Sequence, residues 1–113
     1  MKSNRGSSLL VVLCFLLTTA TALAQTKIST IEGTIKDAQD SVVAGAQVVV
    51  KSQSLGIERT ATSDANGFYR VTALPAGNYT LTITHTGFAT RTFDNVELTL
   101  NRTLTLDIPL EVG

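Results

Sequence analysis

Tyr79-Thr80-Leu81-Thr82-Ile83-Thr84-His85 alternates apolar and polar residues without a break until its last position. Successive side chains of an extended strand point to opposite sides, so Tyr79, Leu81 and Ile83 share one face and the three threonines the other. That is a strand buried on one side only. Working outward, Leu104-Thr105-Leu106-Asp107-Ile108-Pro109-Leu110 repeats the pattern, as do Ile31, Gly33 and Ile35 near the start. Ala46, Val48 and Val50 do the same, with Val49 intruding on the polar face. Tyr69 and Val71 oppose Arg70 and Thr72. No stretch after residue 24 holds an apolar period of 3.6 over ten residues, so helices are not expected there.

Turn chemistry falls between these runs. Asp64-Ala65-Asn66-Gly67 combines an aspartate that bonds the backbone ahead of it with an Asn-Gly pair that tolerates positive φ. Leu74-Pro75-Ala76-Gly77-Asn78 is a second connection, and Leu55-Gly56 and Thr86-Gly87 are weaker breaks. The expected strands are 28–36, 45–53, 57–63, 67–73, 78–86, 88–94 and 97–110, the last interrupted near Asn101. Short strands at this spacing form a β-sandwich or a barrel. Pro109 belongs at an edge or a strand end because it cannot donate to a ladder.

The first 24 residues have another character. Lys2 and Arg5 precede an unbroken apolar run, Leu9 to Leu17, and Ala22-Leu23-Ala24 places small residues where a signal peptidase reads them. This is a signal-peptide pattern with cleavage expected after Ala24, giving a signal-peptide helix at 1–24 and one domain at 25–113. A membrane-spanning helix needs about 20 apolar residues, and this run is shorter. Subtracting 24 from 113 leaves a mature chain of 89 residues. A domain of that size buries only about 60–65% of its unfolded surface, which argues against a deep active site. Cys14, the one cysteine, lies inside the apolar run, where Val12 and Leu13 do not suit lipid attachment. The mature domain therefore has no disulfide and depends on its core and ladders.

The residues of chemistry are sparse. Losing Lys2 and Arg5 leaves seven basic against nine acidic residues, with no basic cluster to displace the counterions of a nucleic acid. Histidine occurs once, at His85, which continues the face of Ile83 and reads as a residue at the sandwich end beside the Gly87 turn. One histidine and no mature cysteine do not make an ordinary zinc site, and no nucleophile elbow or phosphate loop is present. Asp64 and Asn66 open like a calcium loop but lack its later ligands, which favours a plain turn. No cofactor and no enzyme activity are expected. Sugar binding leaves no catalytic trace and needs flat exposed aromatics. Tyr69 and Tyr79 fall on buried faces, and Phe88 is placed to plug the core end. Phe68 and Phe93 remain as the candidate ligand-stacking residues.

Three ordered segments carry a family resemblance. Gly33-Thr34-Ile35-Lys36-Asp37 leads to Gly45-Ala46-Gln47-Val48. Thr62-Ser63-Asp64-Ala65-Asn66-Gly67-Phe68-Tyr69-Arg70-Val71 follows, then Leu74-Pro75-Ala76-Gly77-Asn78-Tyr79-Thr80-Leu81 and Gly87-Phe88. Together they resemble the carboxypeptidase regulatory-like domain, a transthyretin-like (prealbumin-like) module. The resemblance implies an all-β, seven-stranded Greek-key-type β-sandwich. In it Gly33 and Gly45 mark turns or close approaches, Asp64–Gly67 closes a hairpin, and Leu74 and Tyr79 close the core. Asp40 stands where the family commonly has a turn glycine and Ala44 where it commonly has proline, which implies a looser first loop.

Such domains are accessory modules rather than peptidases. They occur as stalks of surface proteins and at the mature N-terminus of TonB-dependent outer-membrane receptors. Asp107 to Gly113 resembles the passage from this domain toward the receptor plug, so both a free-standing module and the front piece of a receptor are open. The expected role is structural or protein-interacting in the cell envelope: exported to the periplasm, the cell surface or the medium, with an envelope protein or attached receptor as partner. Exposed strand edges would offer it a docking place, and no membrane span remains after cleavage. The wider group includes starch-binding-like domains, which makes a carbohydrate-binding module, with polysaccharide as partner, the alternative.

Overall fold

The structure, a computed structural model, describes residues 28–113. The expected signal peptide, Cys14 and the lead-in at 25–27 lie outside the described residues. Eight strands follow in order: β1 (Ile28–Lys36), β2 (Gln47–Ser52), β3 (Ile57–Thr62), β4 (Phe68–Pro75), β5 (Gly77–Thr84), β6 (Arg91–Leu98), β7 (Thr103–Thr105) and β8 (Ile108–Pro109). They form two sheets. One has the order β4-β1-β7, with β8 also on β1; the other has the order β3-β2-β5-β6. β4 runs antiparallel to β1, whereas β7 and β8 run parallel to it and act as one interrupted strand. Counted that way the molecule is a seven-stranded, all-β sandwich. The chain leaves the second sheet after β3, passes through β4 and returns as β5 beside β2, a Greek-key-type path.

The alternation of the sequence becomes the core. Tyr79, Leu81 and Ile83 of β5 are buried and face Ile31, Ile35 and Val71 of the other sheet across the sandwich interior. Leu74 and Tyr79, at the crossing between sheets, are both closed off from solvent. Burying one such side chain is worth about 1.5–3 kcal/mol, so these rows decide which way each strand faces.

Four expectations are corrected. The sixth strand runs 91–98, not 88–94. Residues 85–90 instead form a turn, with the Phe88 amide donating to the His85 carbonyl at 3.1 Å. A bulge hides the true strand from the alternation rule: Phe93 is opposite Leu81 and Val96 opposite Tyr79, with Asn95 at φ 56° between them. Two residues three apart thus face the same side.

The last strand is not continuous over 97–110. Glu97 and Leu98 belong to β6, and β7 and β8 are separated at Leu106–Asp107. Gly33 lies against that break, and a Cβ built on it would stand 2.0 Å from the Leu106 carbonyl oxygen. The Asp107 carboxylate takes the Thr34 amide at 3.0 Å where a ladder carbonyl would otherwise be.

Asp64–Gly67 does not close a hairpin. β3 pairs with β2 and β4 with β1, so the turn is a corner between sheets. The first loop is not loose either. Asp37 accepts the amides of Gln39 and Ser41 at 2.9 and 3.0 Å, and its own amide donates to the Ser41 carbonyl. Asp40 itself takes φ 64°, the conformation that favours a glycine.

Candidate functional site

Phe68 and Phe93 are not brought together. Phe68 begins β4 in the first sheet, on the outward side, and is 37% exposed. Phe93 lies in β6 of the second sheet, opposite buried Leu81, and packs against the core. The Arg91 guanidinium covers its ring, 5.1 Å from the centroid. The two rings therefore belong to different sheets and cannot form one flat platform for a sugar.

Tyr69 and Tyr79 are buried, and each hydroxyl has a fixed carbonyl partner: Leu106 for Tyr69 and Pro75 for Tyr79, both at 2.5 Å. Burial, and then the negative charge of Asp107, pushes the Tyr69 hydroxyl far above the usual tyrosine range. Burial also raises Tyr79, while the charge of Arg59 pulls the other way. These are closed structural bonds rather than reactive groups. Asp64 is similarly committed: its carboxylate accepts the amides of Asn66 and Phe68 at 2.9 and 3.0 Å. Among the described residues no three His, Cys, Asp or Glu side chains gather as metal ligands.

His85 is half-buried past the end of β5. Its Nε2 lies 3.0 Å from the Ala44 carbonyl oxygen and its Nδ1 2.9 Å from that of Thr86. Its ring meets Phe88 edge-on at 5.5 Å. The expected position at the sandwich end is what the structure shows. The two carbonyl partners were not legible, because Ala44 is 41 residues away.

The most exposed apolar grouping lies at the opposite end, where β1 begins. Ile28 (49% exposed) pairs with Pro75, and Leu55 (47%) lies against Gly77. Leu100 (52%) shares an open groove of about 650 Å³ with Ala76, Gly77 and Asn78. Ser29 holds this end in shape: its hydroxyl donates to the Thr99 carbonyl at 2.5 Å and accepts the Arg102 amide at 3.2 Å. Sequence reasoning missed these residues because each is an isolated aliphatic in a different turn.

Comparison with known proteins fits this picture of a binding or structural module. Residues 30–111 match the family model of the carboxypeptidase regulatory-like domain. The TonB-dependent transporter Oar of Myxococcus xanthus is 40% identical over 102 residues, covering 88% of this chain but only 9% of the transporter. A chain of an interface mutant of the type II cohesin–X-dockerin complex from Acetivibrio cellulolyticus superposes with a TM-score of 0.58 at 27% identity, over 75% of this chain and 58% of that one. A putative carbohydrate binding protein from Bacteroides uniformis superposes with a TM-score of 0.60 at 17% identity, over 73% and 40%, which speaks to fold alone. On the family match, this chain belongs to the carboxypeptidase regulatory-like domain family.

Proposed function

We propose that this chain is an exported, non-catalytic sandwich module with a structural or protein-interaction role in the cell envelope, equivalent to an accessory domain of a TonB-dependent receptor. The observation that carries this reading is the 40% identity to a transporter of which the match spans only a tenth or less. A segment of that size within a much larger transporter is an added domain, and the buried, fully bonded polar groups described above leave no reactive constellation in it. The signal-like pattern of residues 1–24 supports export. The apolar end at Ile28, Leu55 and Leu100 is the surface best suited to a protein partner.

Expression in a Gram-negative host, followed by fractionation and intact-mass measurement, tests the reading. The expected product begins at Gln25 and sits in the envelope fraction, and a photo-crosslinker at Leu100 captures an envelope protein that one at Thr60 does not. An uncut chain in the cytosol, or equal capture from both positions, would count against it.

A further inference from the structure

We propose that His85 is a pH-sensitive clasp that, when doubly protonated, locks the β5–β6 turn and with it the docking of residues 110–113. The geometry carries the argument. Both ring nitrogens face carbonyl oxygens at hydrogen-bond distance, Ala44 at 3.0 Å and Thr86 at 2.9 Å. Carbonyl oxygens only accept, and neutral imidazole has a single N–H. The neutral ring can satisfy one partner and sets a lone pair against the other. The imidazolium donates to both.

The clasp joins two loops that are distant in sequence. Ala44 belongs to the segment leading into β2, and Thr86 to the turn after β5. That turn is where the last residues of the chain are held. The Gly113 amide donates to the Gly87 carbonyl at 3.2 Å, and the Ala89 amide to the Glu111 carbonyl at 2.8 Å. Phe88 forms an isolated bridge with Val112 and receives the His85 ring edge-on. Loosening the ring therefore loosens the shelf on which residues 111–113 rest.

No neighbouring charge competes for control. The hollow around the ring is lined by Gly45 and Gln47 on the β2 side, Thr84 of β5, and Thr86 and Thr90 of the turn, all uncharged. Of the charged residues on adjoining elements, Arg91 lies over Phe93 and Glu111 is exposed on the final segment. The sign follows from the count of donors. Proton uptake adds a bond in the folded state, so the clasp is closed in acid and opens as the imidazole loses its proton on going alkaline.

His85 is the single histidine of the chain, so its ring signals are unambiguous in nuclear magnetic resonance. The test measures ring nitrogen protonation and amide exchange of Ala89 and Gly113 at mildly acidic and mildly alkaline pH, corrected for intrinsic exchange. The loss of one net hydrogen bond corresponds to about fivefold lower protection on the alkaline side. In His85→Gln the protection should not change with pH, while the amides of Leu81 and Ile83 report that the core is intact. Should His85→Gln fail to fold, His85→Phe, which keeps the edge contact with Phe88, serves the same comparison. Equal protection at both pH values in the wild type, or the same pH response in the variant, overturns the proposal.

Discussion

Tyr69 shows how much a single buried polar atom controls. Its ring fills the core at 1% exposure, and its hydroxyl donates to the Leu106 carbonyl. Ionising it would place a phenolate against that carbonyl and near Asp107, which is why burial and the Asp107 charge hold the proton on. In the unfolded chain tyrosine ionises near pH 10, or about that value. The unfolded state therefore releases its proton first as pH rises, and stability linked to Tyr69 is complete below about pH 10 and declines above it. Urea unfolding followed by circular dichroism should give a steady midpoint through neutral pH and a fall in the alkaline range. Tyr69→Phe should cost about 1 kcal/mol at neutral pH and make the alkaline fall shallower, with Tyr79 supplying the remainder. An identical alkaline slope in both proteins would remove Tyr69 from the account. The burial of this tyrosine was legible from the alternation with Val71; its carbonyl partner, 37 residues away, was not.

At the scale of the strand, the open question is how the sheet edges avoid other chains. β4 carries a bulge with Ala73 at φ 59° and ends on Pro75; β6 carries the Asn95 bulge; β8 ends on Pro109. Each device interrupts a ladder that a foreign strand would need. β3 has none of them, and all six of its residues pair regularly with β2. Arg59, however, stands opposite buried Val50, on the side of β3 that turns toward the sandwich interior, and reaches solvent from there. A neighbouring strand would bury that guanidinium. Arg59→Val should therefore convert the monomer to a concentration-dependent dimer or larger species in sedimentation velocity, while Arg59→Lys should sediment as the wild type does. A monomeric Arg59→Val would show that β3 is blocked by something other than charge. Blunted edges also direct the search for a partner away from strand addition and toward the loops at the two ends.

For the molecule as a whole, the critical contact is where the interrupted β7–β8 strand passes over β1. Gly33 leaves room for the Leu106 carbonyl, and a methyl group there would need the backbone of one strand to retreat. Gly33→Ala should cost roughly 2–3 kcal/mol, a fall in Tm of about 10–20 °C for a domain of this size. Gly56→Ala is the comparison: Gly56 has φ 65° and open space around it, so it carries backbone strain of about 1–2 kcal/mol without a clash. Calorimetry should rank Gly33→Ala as the more damaging. The reverse order would mean that β7 and β8 shift outward at little cost.

The sequence by itself determined the fold class and the buried faces, because period-two alternation reports one-sided burial directly and needs no knowledge of neighbours. It also placed the turns at Asp64–Gly67 and Leu74–Asn78, where local hydrogen bonding and φ preference decide the outcome. Tertiary structure decided what pairs with what. Whether Asp64–Gly67 joins paired strands or turns a corner between sheets depends on which edge each strand finds, a long-range choice with no local trace. The bulge at Asn95, the crowding at Gly33, the two acceptors of His85 and the separation of Phe68 from Phe93 are of the same kind: each is set by residues tens of positions apart that only packing brings into register.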